Sequence, residues 1–159
     1  MRQWTATTTV PALPEAILDL LTDPEAAQRW APIAFEVDDL RTPRLRSGSR
    51  ARVTGRLAGQ RVGFDVEVHE ASDGRLRLSA DGPVGFDVRY DLAPAPGGSE
   101  VHASVSVRPN RGLTGRLVAE ATNAMLAAGA LQAAIGRIAR EATQAARIDG
   151  FGGHPVATA

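Results

Sequence analysis

Residues 111–147 place the strongest constraint on how this chain can fold. The segment contains no proline, and its leucines, isoleucines and alanines recur at helical spacing. As one helix with a rise of 1.5 Å per residue, it would be about 55 Å long. A compact domain of this length has a radius of gyration of about 15 Å. The predicted helix therefore needs a broad surface beneath it, and the strand-like segments upstream are the candidates for that surface.

One side of this predicted helix is apolar, and the opposite side carries the polar residues. Asn110 is placed to cap its start, and Asp149-Gly150 marks its end. Because the middle turns of the apolar side are mostly alanine, we expect the helix to cover a sheet without filling the space beneath it. The apolar stripe consists of Leu113, Leu117, Ala121, Ala124, Ala128, Leu131, Ile135 and Ala142.

Leu126 lies outside this stripe, within a stretch (residues 124–131) that has no polar residue on any side. Two interpretations remain open. Leu126 is a lone exposed leucine on an alanine-rich helix, or the patch around it binds a partner, for example a second copy of the chain in a homodimer.

Length and composition favour one domain, residues 1–149, followed by a mobile tail, residues 150–159. The absence of cysteine excludes disulfides, thiolate nucleophiles and cysteine-ligated metals. The formal net charge is zero and the arginines are scattered among acidic residues, which argues against nucleic-acid binding. The start of the chain lacks the pattern of a signal peptide, and no apolar run approaches about 18 residues. We therefore expect a cytoplasmic protein without stable membrane insertion.

Seven segments upstream of the long helix alternate apolar and polar residues with a period of two, which is typical of strands. Turn residues separate them, as at Ala58-Gly59-Gln60, Ser72-Asp73-Gly74, Gly82-Pro83 and residues 94–99. The predicted strands are residues 2–10, 33–38, 49–57, 61–69, 75–80, 86–92 and 101–108.

Two short helices are predicted between the first and second strands. Pro14 suits the first turn of one helix. Asp23 can cap the second, with Pro24 in its first turn, and this helix should end near Trp30 because Pro32 cannot continue it.

The pattern as a whole predicts an α+β, helix-grip fold. In this fold a seven-stranded antiparallel curved sheet holds the long C-terminal helix, and the two short helices complete the layer. One face of the sheet is apolar and the other is polar.

Several short motifs occur in an order that covers nearly the whole chain. They are Asp23-Pro24-Glu25 leading to Trp30-Ala31-Pro32, the sequence LRSGS at 45–49 leading into a strand, and PNRGLTGR at 109–116 before an alanine-rich helix. In these motifs the chain resembles the START/Bet v 1-like superfamily (SRPBCC), and most of all its polyketide cyclase/dehydrase-like branch. The resemblance implies a cavity between sheet and helix that takes lipids, polyketides, sterols or other apolar ligands. Some members catalyse cyclisation or dehydration, whereas many bind ligands only.

Strand alternation predicts an apolar inner face on which Tyr90 is the one polar side chain. His69 and His102 should point outward, and His154 lies in the tail, so we predict no metal site, and we expect no cofactor. A strand slip or bulge at a glycine (Gly55, Gly63 or Gly85) is the alternative that would turn polar groups inward. The candidate ligand-binding residues are Trp30, Phe35, Phe64, Phe86, Tyr90, Val105, Leu117, Ala121, Met125 and Ala128.

These observations lead to three hypotheses of function. The first is binding of a hydrophobic small molecule, lipid-like or polyketide-like, with Tyr90 giving an orienting hydrogen bond. The second is a polyketide cyclase/dehydrase-type enzyme, with Tyr90 as acid or oxyanion donor beside a second inward titratable group. The third is a protein-interaction or dimerising regulatory module that uses the patch around Leu126. Of these, ligand binding without catalysis is favoured over an enzyme.

Overall fold

The computed structural model describes residues 2–31, 35–40, 44–57, 59–109 and 112–152. Within these ranges the chain forms seven strands and four helices. In chain order they are β1 (Arg2–Val10), α1 (Pro14–Thr22), α2 (Pro24–Trp30), β2 (Phe35–Leu40), β3 (Arg50–Leu57), β4 (Gln60–Ser72), β5 (Arg75–Asp81), β6 (Val84–Ala95), β7 (Gly98–Pro109), α3 (Leu113–Ala127) and α4 (Ala130–Gly152).

The strands form one curved antiparallel sheet in the order β1-β7-β6-β5-β4-β3-β2. Strands β2 to β7 follow one another as neighbours, while β1 pairs with β7, so that Trp4 lies opposite Val105. The helices cover the inner face of this sheet. The predicted helix-grip architecture is therefore confirmed, with a change in its C-terminal helix.

The turns follow from residues that tolerate a left-handed backbone. At Asp73-Gly74 both residues have positive φ, 53° and 73°, as a two-residue type I′ hairpin turn requires. The turn predicted across residues 94–99 is tighter than expected, because β6 continues to Ala95 and β7 begins at Gly98.

The pairing of the strands is regular at the three glycines where a bulge was considered. Gly55 pairs with Val62, Gly63 with Thr54, and Gly85 with Asp81. The hypothesis of an inversion there is wrong. The register shifts elsewhere, between Val37 and Asp39 in β2 and between Val68 and Glu70 in β4.

The C-terminal segment is two helices, so the prediction of one helix over residues 111–147 is wrong. Helix α3 ends at Ala127 and α4 begins at Ala130. Between them Gly129 has a φ of 94°, a conformation that glycine adopts readily and other residues avoid. Helix α4 also continues beyond Asp149 to Gly152. The predicted cap Asn110 lies outside the described residues.

The break changes which side of α3 faces the core. In α4 the predicted stripe is confirmed, because Leu131, Ile135 and Ala142 are buried. In α3 it is wrong, because Leu113 and Leu117 are 81% and 61% exposed. Ala124 and Ala128 are also exposed, and the core-facing residues of α3 are Gly115, Val118, Ala119, Thr122 and Leu126.

Leu126 itself is only 7% exposed. The idea of an exposed apolar patch centred on this residue is therefore wrong, and the interaction module that depended on the patch loses its basis.

Helix α2 begins and ends as its sequence predicts, and α4 holds it in place. Asp23 Oδ1 accepts a hydrogen bond from the Glu25 amide at 3.0 Å, which confirms the predicted cap. At the other end, the Arg137 side chain in α4 donates to the carbonyl oxygens of Trp30 at 3.1 Å and Ala31 at 3.3 Å. The position of the Trp30 backbone is thus fixed from the last helix.

The outer face of the sheet carries exposed ion pairs. Arg52 pairs with Asp65 at 3.1 Å and Arg89 with Asp91 at 2.8 Å. Pairs in contact with water contribute at most about 1 kcal/mol each, so this face contributes little to the stability of the fold.

Candidate functional site

A cavity of about 250 Å³ lies between the inner face of the sheet, helix α2 and the junction of α3 with α4. Strands β2 to β7 all contribute to its wall. From the helices come Trp30 of α2, Met125 and Leu126 at the end of α3, and Leu131 at the start of α4. The volume is slightly below the range of about 300–1,000 Å³ that is usual for small-molecule pockets.

The inward-facing residues in the middle of the sheet show why this space exists. Val66, Leu78, Val88 and Val105 line the cavity and are only half-buried, although they point to the inside of the fold. Inward side chains outside the lining, such as Val68 and Val101, are 1% and 0% exposed. The half-buried residues therefore border open space.

Seven of the ten sequence-predicted site residues line this cavity: Trp30, Phe35, Phe64, Phe86, Tyr90, Val105 and Met125. The other three do not. Leu117 and Ala128 are exposed and Ala121 is half-buried outside the lining, because α3 turns its other side to the sheet.

Thr122, Leu126 and Leu131 line the cavity in their place. The signal in the sequence that could have predicted these three residues is Gly129. A helix break at this glycine separates the orientation of α3 from that of α4.

The aromatic residues form two contacting pairs in the wall. The rings of Trp30 and Tyr90 meet edge to face, with centroids 6.2 Å apart and planes at 76°. The rings of Phe64 and Phe86 are 5.5 Å apart at 49°. Such pairs hold the rings in place, so this part of the wall is preformed.

Three lining side chains carry a polar atom: Trp30, Tyr90 and Thr122. The Thr122 hydroxyl donates to the Val118 carbonyl at 2.7 Å and is thereby satisfied. Trp30 Nε1 is buried and has no hydrogen-bond partner among the described residues.

Tyr90 is 3% exposed and lines the cavity. Its hydroxyl forms no hydrogen bond with a described residue, but it is not fully enclosed as Trp30 Nε1 is. Burial raises the pKa of Tyr90 well above its ordinary value of 10.0. The side chain therefore stays protonated, and its hydroxyl can act as a neutral donor or acceptor.

Tyr90 is the single titratable side chain among the described residues that line the cavity. His69 and His102 are exposed on the outer face, where His69 Nε2 lies 2.9 Å from the Ser79 hydroxyl. His102 lies between Thr7 and Glu100, at 3.0 Å and 2.9 Å. In the described ranges no three His, Asp or Glu side chains are grouped so that they would hold a metal ion.

The sequence matches a family model described as polyketide cyclase / dehydrase and lipid transport, over residues 1–143. No curated protein sequence matches the chain.

Solved structures match the chain over most of its length. A protein from Thermus thermophilus is 17% identical with a TM-score of 0.67, and the match covers 91% of this chain and 99% of that one. The Zhui aromatase/cyclase from a Streptomyces species is 15% identical with a TM-score of 0.67, covering 90% and 94%. A START superfamily protein from Mycobacterium smegmatis is 19% identical with a TM-score of 0.64, covering 89% and 97%. At these identities the likeness establishes the fold.

Among the helices in the described ranges, none combines the length and the apolar character that crossing a membrane requires.

Proposed function

The chain belongs to the polyketide cyclase/dehydrase and lipid transport family, and on this premise we propose that it binds an apolar small molecule in the cavity between sheet and helices. The ligand is lipid-like or polyketide-like in character. Its contacts are the seven predicted residues that line the cavity, together with Leu126 and Leu131.

The observation that carries this proposal is the nearly complete apolar lining of a space that the fold leaves unfilled. Half-buried residues such as Leu78 and Val88 would lose their remaining contact with water when a ligand enters. Each square ångström of apolar surface removed from water stabilises the complex by about 25 cal/mol. The preformed aromatic wall lowers the cost of ordering side chains on binding.

The lining favours binding over catalysis. Cyclisation of a polyketide needs a group that moves a proton and a donor that stabilises the developing oxyanion. Tyr90 can fill one of these roles, but no second titratable group lies beside it among the described lining residues. We therefore assign Tyr90 to orienting the ligand, and we do not favour the cyclase hypothesis.

A pair of matched substitutions tests this proposal. Ala80 on β5 lines the cavity, and Ala93 on β6 is exposed. Ala80→Leu adds three carbon atoms to the cavity wall, whereas Ala93→Leu adds the same atoms at the surface. The probe is prodan, an uncharged naphthyl ketone dye that becomes brighter and shifts to shorter wavelength in apolar surroundings.

We expect prodan to bind the wild-type protein and Ala93→Leu with equal affinity. Overpacking a filled site costs about 1–3 kcal/mol, so its affinity for Ala80→Leu should fall at least about five-fold. Circular dichroism checks that both variants are folded. Equal affinity for the two variants, or no binding to the wild-type protein, contradicts the proposal.

A further inference from the structure

We infer that the cavity selects an uncharged ligand whose apolar skeleton carries an oxygen acceptor, such as a ketone, and that this oxygen lies against the Tyr90 hydroxyl. The inference rests on the proposed function and adds the chemical class of the ligand. On this inference a carboxylate, such as a free fatty acid, does not bind with its charged group inside the cavity.

The first step is the charge of the lining. None of the described residues that line the cavity is charged, and its polar atoms belong to Trp30, Tyr90 and Thr122. A carboxylate that leaves water for such a site has no cation to pair with, and an unpaired buried charge is strongly unfavourable. Arg137, a nearby cation, is already engaged with the carbonyl oxygens at the end of α2.

The second step is the unused hydroxyl of Tyr90. A buried polar group normally has a hydrogen-bond partner, and one without a partner is destabilising. The Thr122 hydroxyl meets this requirement within its own helix. The Tyr90 hydroxyl has no hydrogen bond with a described residue, and unlike Trp30 Nε1 it keeps some accessible surface, in the wall of the cavity that Tyr90 lines. A ligand oxygen is the missing partner, because the protonated phenol offers its hydrogen to an acceptor.

The third step is the fixed position of that hydroxyl. Tyr90 is held edge to face against Trp30, and the backbone of Trp30 is held in turn by Arg137. On the sheet, Tyr90 is paired with Leu76 on one side and Ala103 on the other. A hydroxyl fixed in this way stabilises the ligand only when the ligand's acceptor lies in one position. A few polar groups placed like this orient the ligand in an otherwise apolar pocket.

The test uses three naphthalene compounds of nearly equal size. In 2-acetylnaphthalene a ketone oxygen is the acceptor. In 2-isopropenylnaphthalene a CH₂ group replaces that oxygen without a change in shape. In 2-naphthoate a carboxylate stands in the same place. Each is measured by displacement of prodan from the wild-type protein and from Tyr90→Phe, which removes the hydroxyl and leaves the ring.

We expect the ketone to lose about two- to ten-fold in affinity in Tyr90→Phe, the range of one net hydrogen bond. The alkene should bind both proteins equally. Against the wild-type protein, 2-naphthoate should bind at least about ten-fold more weakly than the ketone. The last comparison needs no variant, so the inference stays falsifiable if Tyr90→Phe fails to fold.

The outcomes separate this inference from the proposed function. If the ketone and the alkene both bind but the ketone loses no affinity in Tyr90→Phe, or if 2-naphthoate binds as tightly as the ketone, the cavity binds ligands and the inference is overturned. If none of the three compounds displaces prodan and prodan itself does not bind, the proposed function fails and the inference falls with it.

Discussion

Tyr90 is the residue on which the chemistry of the site depends, and its state is set by burial. It is the single tyrosine of the chain, which makes its ionisation directly observable. The phenol lies 3% exposed among apolar neighbours, and this burial raises its pKa. A charged phenolate would be unfavourable there for the same reason that a ligand carboxylate would be.

An alkaline titration monitored by tyrosinate absorbance tests this state. The folded protein should show no tyrosinate as the pH passes 10.0, the ordinary pKa of tyrosine, and the signal should appear only when the chain unfolds. Above this pH the unfolded chain loses the proton while the folded protein keeps it. The free energy of unfolding should therefore fall with rising pH, by up to about 1.4 kcal/mol per pH unit from this group.

Tyr90→Phe is the control, because it removes this contribution to the pH dependence. Below about pH 10 the two proteins should show the same pH dependence, since Tyr90 is protonated in both the folded and the unfolded state. A reversible tyrosinate signal near pH 10 in the folded wild-type protein would show that Tyr90 is in contact with water.

At this scale the sequence predicted the strand residues of the site well. The alternation of side chains along β6 placed Phe86 and Tyr90 on the inner face, and the structure finds both in the cavity wall. Because side chains alternate with a period of two, a paired strand that shifted by one residue would turn all its apolar residues to the other face. The alternation gave no sign that the Tyr90 hydroxyl would lack a partner, because that depends on distances between elements.

The element that departs most from prediction is the C-terminal helix. Leucine and alanine occur on two sides of α3, so the sequence offers two apolar stripes on that helix. The prediction chose the stripe of Leu113 and Leu117, which is continuous with Leu131 and Ile135 if the helix is unbroken. The break at Gly129 makes that continuity irrelevant, and the stripe of Val118, Thr122 and Leu126 faces the sheet instead.

Two glycine substitutions test the break. Gly129→Ala places a side chain at a φ of 94° and should lower the free energy of unfolding by about 1–2 kcal/mol, the cost of a left-handed backbone. Gly136→Ala is the matched control inside α4, where an added methyl group meets no atom within 4 Å. It should raise the free energy of unfolding by about 0.5–1 kcal/mol, because alanine favours helix.

Both values come from chemical denaturation followed by circular dichroism. If both substitutions stabilise the protein to the same extent, the helix is continuous through residue 129 and the assignment of Leu126 and Leu131 to the cavity wall is contradicted.

At the scale of the whole molecule, the sequence predicted the order of strands and helices better than it predicted the cavity between them. Seven alternating segments separated by turn residues predicted the antiparallel sheet, and the Asp23 cap predicted the start of α2. The cavity depends on how far α2 and α3 stand from the sheet. The Arg137 contacts with the end of α2 and the break at Gly129 set this distance, and neither has a periodic signal in the sequence.

The central claim is that this interior is a binding space, and a crystal structure of the protein with 2-acetylnaphthalene tests it most directly. We predict electron density for the naphthalene ring between the sheet and the α3–α4 junction, with its ketone oxygen within hydrogen-bond distance of the Tyr90 hydroxyl. A crystal structure in which Phe64, Phe86 and Met125 fill the space, with no room for the ring, would contradict it.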